Sequence, residues 1–412
     1  MSEWKEKSIE SLCKVKGGKR LPAGKEFADG VTQFPYLRVT DMGNGSINQK
    51  SLVYVKPEIE PFIRNYKISK DDIYVTIAGT LGLFGTIPDN LDKAQLTENA
   101  AKLCEIDNTE INKIFLKYYL NSNYIQSQIW REIGVGGGVP KLALFRIEKL
   151  KVKYPERQIQ DNIAHILTTC DTVIEQTQSA IAKYKAIKQG LLHDLFTRGL
   201  DINGKLRPSY QDAPELYKES ELGMIPKEWE VKRLGEIATM KSGDGITSAF
   251  ISDTGDFPVY GGNGLRGFTT TYTHEGDYVL IGRQGALCGN IKRASDKFFA
   301  SEHAVVVTVN KDIDVDWLSQ KLDAMNLNQY SEASAQPGLA VAKILRLFIT
   351  KPHHDEQKEI GKRLLALDNK MNAEETLLQK YQSIKRGLMG DLLGGKKTVG
   401  DIDDVATCDA AT

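Results

Sequence analysis

Residues 155–196 read PERQIQDNIAHILTTCDTVIEQTQSAIAKYKAIKQGLLHDLF, and residues 352–393 repeat the pattern as PHHDEQKEIGKRLLALDNKMNAEETLLQKYQSIKRGLMGDLL. The offset is constant, since Pro155 to Pro352 and Asp194 to Asp391 both differ by 197. The repeat includes identical pairs, with Lys183-Tyr184 matching Lys380-Tyr381 and Gly190-Leu191 matching Gly387-Leu388. A duplication of this length predicts a chain built from two related halves.

Apolar residues in both copies follow alternating steps of four and three, with the polar residues Thr177, Lys188, Glu374 and Lys385 at the positions between. The apolar residues lie at Ile163, Leu167, Cys170, Ile174, Ile181, Tyr184 and Leu191, and at Ile360, Leu364, Leu367, Met371, Leu378, Tyr381 and Leu388. This heptad spacing is typical of the seam between two helices. Proline stands only before each copy, where it is compatible with a helix start. About 39 residues give a helix of roughly 58 Å, which is too long to be buried in one small domain.

We therefore predict an antiparallel coiled coil formed by the two long helices of one chain. The alternative is that each amphipathic helix packs on its own domain. Before each helix, strand-like runs bounded by Gly, Asn and Asp alternate with helical patterns. The strand-like runs are 36–40, 52–55, 72–77, 257–260, 278–281 and 304–309, and the helical patterns are 111–130 and 315–330. The predicted fold class is α+β: two mixed α/β domains separated by an antiparallel pair of long helices, with an internal two-fold repeat.

The composition is that of a globular protein, with 41% hydrophobic and 26% charged residues among 412. No apolar run approaches the roughly 20 residues that span a bilayer, and the first residues lack a signal-peptide core, so we expect a cytoplasmic protein without membrane contact. The five cysteines include no CxxC pair, which argues against a disulfide framework or a zinc site. The 54 basic and 54 acidic residues balance, which excludes a uniformly basic surface but not a local basic face.

Motifs for catalysis or cofactor binding are weak. Gly262-x-Gly264-x-x-Gly267 fits the dinucleotide pattern, but no helix is predicted to begin after it. Residues 390–396 resemble a P-loop, but Lys397 stands where a Ser or Thr would hold magnesium. The six histidines form no HExxH motif, and no acidic cluster suits phosphodiester cleavage. We predict a binding protein with no catalytic residue, metal or cofactor of its own.

Polar and basic residues among glycines are the candidate DNA-binding residues. The loop candidates are Lys19, Arg20, Arg38, Thr40, Asn44, Lys241, Asn263, Arg266, Arg283 and Gln284. Arg suits guanine, Asn and Gln suit adenine, and glycine lets a backbone approach a phosphate. Candidates for phosphate contacts are Lys141, Arg146, Lys292, Arg293 and Lys343. Each could be a plain solvated residue, but their occurrence in both halves favours nucleic acid over a small ligand.

Several motifs around the helices are specific enough to suggest a family. They are Pro337-x-Leu339, Ile344, Pro352 and Glu356-Gln357-x-x-Ile360 before and at the second helix, Lys385-Arg386-Gly387-Leu388 and Asp391-Leu392-Leu393 near its end, and Glu221-Leu222-Gly223-Met224-Ile225-Pro226-x-x-Trp229 between the halves. With these motifs, nearly the whole chain resembles the specificity (S) subunit of type I restriction–modification enzymes. The sequence departs from the family pattern at one place. The first copy reads Arg157-Gln158-Ile159-Gln160 at the start of its helix, so its Glu-Gln pair is predicted to be missing.

The resemblance implies target-recognition domains over 1–154 and 227–352 and conserved spacer helices over 155–198 and 353–396. Residues 199–226 are polar and rich in turn residues and are predicted to be a linker, and residues 397–412 are predicted to be an acidic, disordered tail. Each domain would bind one half of a bipartite, asymmetric double-stranded DNA site. The helices would set the spacer and dock two modification (methyltransferase) subunits. Those subunits would bring S-adenosylmethionine, and restriction (endonuclease and translocase) subunits would bring ATP and magnesium.

Two other hypotheses stay open on the sequence. The chain could be a non-enzymatic coiled-coil scaffold or adaptor without DNA specificity, which would show no salt-dependent binding to duplex DNA. It could also be the recognition half of a single-chain restriction and methylation enzyme, although residues 1–412 contain no methylase segment.

Overall fold

The computed structural model describes residues 4–133, 140–285, 287–331 and 338–397. The chain divides into two compact units: unit 1 comprises Met1–Gln176 and Leu378–Thr412, and unit 2 comprises Thr177–Leu377. The expected acidic tail lies outside the described residues apart from Lys397, and so does Pro337.

Unit 1 combines short strands with helices. In chain order its described strands are β1 (Lys5–Ser8), β2 (Lys14–Gly17), β3 (Pro35–Leu37), β4 (Val53–Tyr54), β5 (Lys67–Ile68), β6 (Ile73–Thr76), β7 (Phe84–Gly85), β8 (Ala94–Leu96), β9 (Ala100–Cys104) and β10 (Lys151–Tyr154). Its short helices are α1 (Glu60–Ile63), α2 (Lys113–Leu120), α3 (Asn123–Ile133) and α4 (Leu144–Glu148). The long helix α5 (Arg157–Thr197) begins in unit 1 and continues into unit 2.

Unit 2 repeats this plan. Its described strands are β11 (Tyr217–Ser220), β12 (Gly223–Pro226), β13 (Glu230–Arg233), β14 (Ala238–Ser242), β15 (Phe257–Gly261), β16 (Gly264–Thr269), β17 (His274–Glu275), β18 (Tyr278–Gly282), β19 (Ile291–Ala294), β20 (Lys297–Ala300), β21 (Ala304–Val309) and β22 (Phe348–Lys351). Its short helices are α6 (Leu234–Ile237), α7 (Val315–Ala324) and α8 (Val341–Ile344), and the long helix α9 (His354–Leu392) begins here and ends in unit 1.

The sheets of the two units have the same topology. Unit 1 has sheets of order β2-β9-β6-β7 and β4-β3-β8-β5, and unit 2 has β14-β21-β18-β19 and β16-β15-β20-β17. In both units the second sheet contains a single parallel pair, β3 with β8 and β15 with β20. A two-stranded ribbon, β1 with β10 or β13 with β22, leads into the long helix. The sequence repeat therefore extends to strand order and direction.

Each unit is layered. In unit 1 one face of the first sheet packs on α2, α3 and the long helices through a cluster that includes Phe115, Leu167 and Leu392. Its other face packs on the second sheet through Tyr74 and Leu96. In unit 2 the helix-side cluster includes Trp317, Leu195 and Ile360, and the cluster between the sheets includes Phe298 and Val306. Successive side chains of a strand point to opposite faces of the sheet, so the first sheet packs one set against the helices and the other set against the second sheet.

The long helices pair in each unit. In unit 1 the first turns of α5 share a core with the last turns of α9, and in unit 2 the last turns of α5 share a core with the first turns of α9. The predicted antiparallel pairing is thus confirmed. All fourteen seam positions are buried or half-buried, and Ile163, Leu167, Ile181, Ile360 and Leu364 are buried. Each helix also packs on the domain that precedes it. Pairing of the long helices and packing on the domains, which the sequence left as alternatives, therefore both occur.

Three local predictions were too simple. The run 36–40 is a strand only to Leu37, because the Asp41 carboxylate accepts the backbone N–H of Arg38 and turns residues 39–41 into a 3₁₀ turn. The helix predicted over 111–130 is interrupted between α2 and α3, where the Asn121 side chain bonds both the N–H and the C=O of Phe84. The helix predicted over 315–330 ends at Ala324, since Asn326 has a positive φ of 47°.

The prediction that the first copy lacks the Glu-Gln pair is correct for the glutamate and wrong for the glutamine. With the constant offset, Gln357 corresponds to Gln160, and both glutamines are buried. Gln160 Oε1 accepts the N–H of Asn112 at 2.8 Å, and Gln357 Oε1 accepts that of Asp314 at 2.9 Å. Each amide nitrogen also donates to the proline carbonyl five residues earlier. Only the glutamate is absent from the first copy, where Ile159 replaces it.

Candidate nucleic-acid interface

In unit 1 four loop segments meet beyond the end of β2 and enclose a cleft of about 430 Å³. Gly18 donates to the carbonyl of Ala100 at 3.0 Å, and Lys19 donates to that of Leu96 at 2.8 Å. Leu142 donates to the carbonyl of Ile77 at 2.9 Å, which brings the segment before α4 to the same place. We call this the unit 1 cleft; its lining residues used below are Lys19, Arg20, Ile77, Glu98 and Lys141.

The same backbone frame exists in unit 2. Gly243 donates to the carbonyl of Ala304 and Asp244 to that of Ala300, both at 2.9 Å. Leu339 donates to the carbonyl of Arg283 at 3.0 Å, as Leu142 does to Ile77. Because it occupies the position that matches the unit 1 cleft, we call this place the unit 2 cleft; its residues used below are Asp244, Arg283, Gln284, Glu302 and Gly338. Equivalent hydrogen bonds define which position of one cleft matches which position of the other.

Glycine is required where the frame is tightest. A Cβ on Gly18 would overlap the carbonyl oxygens of Leu96 and Thr97, and a Cβ on Gly243 would overlap that of Ala300. Because backbone atoms cannot swing away as a flexible side chain can, any other residue would open the frame. Both glycines therefore hold the loop that carries Lys19 or Asp244 against the neighbouring turn.

The side chains on this shared frame differ in charge and size. Equivalent positions, unit 1 before unit 2, are Lys19 and Asp244, Ile77 and Arg283, Ala78 and Gln284, Asn99 and His303, and Lys141 and Gly338. A glutamate is common to both, as Glu98 and Glu302. A constant backbone with exchanged side chains presents two unlike sets of hydrogen-bonding groups in the same geometry.

The charged groups in each cleft are partly paired. Arg20 Nε lies 3.4 Å from Glu98 Oε1, although the arginine side chain is 75% exposed and accessible to a ligand. In unit 2, His303 Nε2 lies 3.1 Å from Glu302 Oε1, and Arg283 Nη1 donates to Ser242 Oγ at 3.1 Å. In unit 1 the hydroxyl of Tyr36 donates to the carbonyl of Lys19 at 2.9 Å, and burial raises the pKa of Tyr36 to about 12. The tyrosine therefore remains a donor that supports the Lys19 loop.

The structure brings some of the predicted DNA-binding residues of unit 1 together. Lys19, Arg20 and Lys141 line the unit 1 cleft. Arg146 is half-buried on α4, with its guanidinium 5.8 Å from the Phe145 ring.

The remaining unit 1 candidates lie on the turn after β3. Thr40 and Asn44 are exposed there. Arg38 donates to both oxygens of Asp41 and to the carbonyl of Ser51, and its hydrogen bonds to Asp41 raise its pKa. These bonds hold the Arg38 guanidinium against the protein.

In unit 2, Arg283 and Gln284 belong to the cleft, and Gln284 is exposed. Lys241 is exposed on β14, but the strand register matches it to Lys16 and not to Lys19. Asn263 and Arg266 are exposed at the β15–β16 hairpin.

The last three candidates of unit 2 lie outside the cleft frame. Lys292 is exposed on β19, and Lys343 is exposed on α8. Arg293 Nε lies 2.8 Å from Asp316 Oδ1, and its Nη2 lies 3.4 Å from Asp277 Oδ1. These carboxylates compete with any phosphate for the Arg293 guanidinium.

Sequence reasoning missed the acidic members of the clefts. Glu98, Asp244 and Glu302 are not among the predicted residues, because the prediction rests on basic and amide side chains. A signal was present, since TENA at 97–100 and SEHA at 301–304 repeat the same turn. Within the described ranges, no three His, Cys, Asp or Glu side chains are grouped closely enough to hold a metal ion. Nor does any described helix combine the length and apolar character needed to cross a bilayer.

The fold and the clefts define a class of protein: a duplicated binding protein whose two units share a scaffold and differ in their contact side chains. The chain belongs to the family described as type I restriction modification DNA specificity domain, whose profile matches residues 1–184 and 226–383. Those two matches coincide with the two repeats found in the sequence.

Individual relatives agree with this assignment. The Escherichia coli protein named type I restriction enzyme EcoprrI specificity subunit is 43% identical over 168 residues, which are 40% of this chain and 41% of that protein. The Methanocaldococcus jannaschii MjaVIII specificity subunit is 24% identical over 343 residues, or 76% of each chain. The crystal structure of the type I restriction-modification system S subunit from M. genitalium gives a TM-score of 0.67 at 20% identity, over 95% of this chain and 96% of that one. That structure shares the fold of this chain.

Proposed function

We propose that this chain is the DNA-binding specificity subunit of a type I restriction–modification complex, and that each cleft contacts one half of a bipartite, asymmetric site. The observation that carries the proposal is the shared backbone frame with exchanged side chains. A frame that is repeated holds each cleft on DNA in the same way, while unlike side chains select unlike bases. The two half-sites should therefore differ in sequence.

The cleft chemistry suits base edges and phosphates. In unit 2 the Arg283 fork fits guanine, and the Gln284 amide fits adenine. In unit 1 the cations Lys19 and Lys141 suit phosphates, and Glu98 can accept a hydrogen bond from the amino group of cytosine. Residues outside the clefts, such as Asn44 and Asn263, extend the same surface of candidate contacts in each unit.

The covalent chemistry belongs to partners in this proposal. Two modification (methyltransferase) subunits would supply S-adenosylmethionine and the adenine methylation, and restriction (endonuclease and translocase) subunits would supply ATP, magnesium and cleavage. The long helices set the spacer between half-sites and dock the modification subunits. A complex that acts on cellular DNA would work in the cytoplasm.

Selection from random duplex DNA tests the proposal, using this chain assembled with its modification subunits. The expected product is a bipartite motif with two unlike halves. Gln284→Ala should relax one half at a single position by about 10-fold and leave the other half unchanged, since a good bidentate contact discriminates by about 1–3 kcal/mol. Lys218→Ala, an exposed lysine on β11, is the matched control and should change neither half.

Three outcomes would contradict the proposal. If selection yields no motif, or if the complex binds DNA without salt dependence, the scaffold hypothesis is correct and the specificity function is not. If Gln284→Ala relaxes both halves equally, the clefts do not divide the site between them.

A further inference from the structure

One carboxylate in unit 1 joins three helices. Asp171 lies on α5, and its Oδ2 accepts a hydrogen bond of 2.6 Å from the hydroxyl of Tyr118 on α2. Its Oδ1 pairs with Nζ of Lys385 on α9. Asp171 therefore contacts the domain through one oxygen and the opposite long helix through the other.

Unit 2 contains the same junction with the helices exchanged. Asp368 lies on α9, and its Oδ2 accepts a hydrogen bond of 2.6 Å from the amide of Gln320 on α7. Its Oδ1 lies 2.6 Å from Nζ of Lys188 on α5. Asp171 and Asp368 occupy the same repeat position, as do Lys188 and Lys385, since both pairs differ by 197.

The domain-side partner is also equivalent in position. Tyr118 is the sixth residue after the helix cap Asn112, and Gln320 is the sixth after the cap Asp314. Tyrosine and glutamine differ in shape, yet each donates a hydrogen bond to the Oδ2 atom of the equivalent aspartate. The repeated feature is thus the hydrogen bond itself, and not a packing shape inherited by both units.

Each short helix is attached at a second point. Gln160 receives the N–H of Asn112, and Gln357 receives the N–H of Asp314. The glutamine precedes the aspartate by 11 residues in both long helices, which is about 16 Å along the helix axis. Attachment at two separated points fixes the direction of α2 or α7 along its long helix, whereas one point would leave it free to pivot.

The two junctions are partly buried within the apolar seam, where a hydrogen bond is sensitive to a shift of the helices. Tyr118 is 3% exposed, and the side chains of Lys188 and Asp368 are 16% and 23% exposed. The surrounding seam is apolar, and apolar side chains tolerate small shifts of register that a hydrogen bond does not. A partly buried charge left unpaired is costly, so a shifted register would be disfavoured.

We propose that Asp171 and Asp368 are positioning residues that fix the angle of each domain on the long helices, and so restrict the spacer length that the protein accepts between its half-sites. This inference rests on the proposed function. The bases read in each cleft are set by other residues, so loss of a junction should leave half-site sequence unchanged. The measurable consequence is a broader range of tolerated spacers.

The test uses the complex of this chain with its modification subunits and a duplex library. Both half-sites are held at the sequences selected by the wild type, and the spacer varies by single base pairs. Tyr118→Phe removes only the hydroxyl that reaches Asp171, and Asp171→Ala removes the whole junction. We expect the affinity for spacers one base pair from the optimum to rise relative to the optimum by about 3-fold for Tyr118→Phe and about 10-fold for Asp171→Ala, as for loss of one or two hydrogen bonds.

Tyr119→Phe is the matched control, because it removes a hydroxyl from the neighbouring buried position of α2 without touching Asp171. It should leave the spacer profile unchanged. A thermal unfolding curve for each variant identifies any loss of folding, and the mild Tyr118→Phe variant decides the matter if Asp171→Ala does not fold.

An unchanged spacer profile in a folded Tyr118→Phe variant that still selects both half-sites would overturn the inference. So would equal broadening in Tyr119→Phe, which would indicate a general loosening of the core. Failure of the wild type to select half-sites at all would instead refute the proposed function.

Discussion

Units 1 and 2 agree on the side that faces the long helices and disagree on the side that carries the clefts. Gln160 and Gln357 make the same hydrogen bonds in both units. At the clefts a lysine, Lys19, is replaced by an aspartate, Asp244, on an unchanged backbone frame. The difference separates two roles within one fold. Residues on the helix side maintain the fold, and residues on the cleft side can differ between the units without changing it.

A second difference lies at the start of the long helices. Glu356 of α9 accepts hydrogen bonds from Leu200 N–H at 2.7 Å, from Arg207 Nη1 at 2.6 Å and from Trp229 Nε1 at 3.1 Å. Its counterpart in α5 is Ile159. The glutamate holds the segment between the repeats, and that segment is correspondingly well structured, with the β11–β12 hairpin at its end.

Glu356→Ala should have the largest effect on stability. It leaves Arg207, which is 8% exposed, with only Glu228 as a carboxylate partner, and it removes the acceptor of the Trp229 indole N–H and of the Leu200 backbone N–H. We expect the free energy of unfolding to fall by about 2–4 kcal/mol. Urea unfolding followed by tryptophan fluorescence measures it.

Glu359→Ala is the control for that variant. Glu359 pairs with Arg363 four residues later on the same helix, and the two side chains are 40% and 38% exposed. Its loss should change stability by no more than about 0.5 kcal/mol. Equal effects of the two substitutions would show that the interaction of Glu356 with the segment between the repeats is not important for stability.

Gln160→Leu and Gln357→Leu should have smaller effects, and the two should be similar. Each removes the acceptor for one backbone N–H and the donor to a proline carbonyl in a buried site. A loss of about 1–3 kcal/mol is expected from each, measured by urea unfolding of the full chain. Gln158→Ala, which changes an exposed glutamine, should cost almost nothing. A large effect in one unit only would break the equivalence of the helix sides.

The long helices could be predicted because their pattern is local and repeated. Heptad spacing and an exact offset identify the helices, their approximate ends and their pairing from the residues alone. The ends of the short elements could not be predicted: Asp41 ends a predicted strand by accepting the N–H of Arg38, and Asn121 interrupts a predicted helix by bonding Phe84, 37 residues away in the chain. Local patterns carry no information about such tertiary partners.

The clefts could be predicted only in part. Lys19, Arg20, Arg283 and Gln284 were found as polar residues among glycines. The equivalence of Lys19 with Asp244 was hidden, because the two halves differ in loop length and only backbone hydrogen bonds align them. The junctions at Asp171 and Asp368 were also missed, although both lie in the repeated segment, because a single aspartate on a helix has no sequence signal for its partner.

Lys321 offers the finest comparison between the units. It is the seventh residue after the cap of α7, and the seventh after the cap of α2 is Tyr119. Lys321 Nζ donates to Thr350 Oγ1 at 3.1 Å and lies 4.8 Å from the centre of the Phe196 ring. Burial lowers the pKa of Lys321 to about 8. At the same position unit 1 buries a tyrosine, whose hydroxyl carries no charge at neutral pH, and burial raises its pKa further.

Lys321→Met should therefore stabilise unit 2 at pH 7, by about 1 kcal/mol, since it removes a partly buried charge and keeps the length of the apolar stem. The folded pKa of about 8 lies below the unfolded value of 10.5, so the unfolded state holds more protons between these pH values. Stability of the wild type should then rise as pH increases from 8 to 10.5, and the advantage of Lys321→Met should shrink over the same window and disappear above it. Lys311→Met, at an exposed lysine of the same unit, should show neither effect. Thermal unfolding at pH 7 and pH 10.5 distinguishes the cases, and an advantage that is the same at both pH values would mean that packing, and not charge, separates the two units at this position.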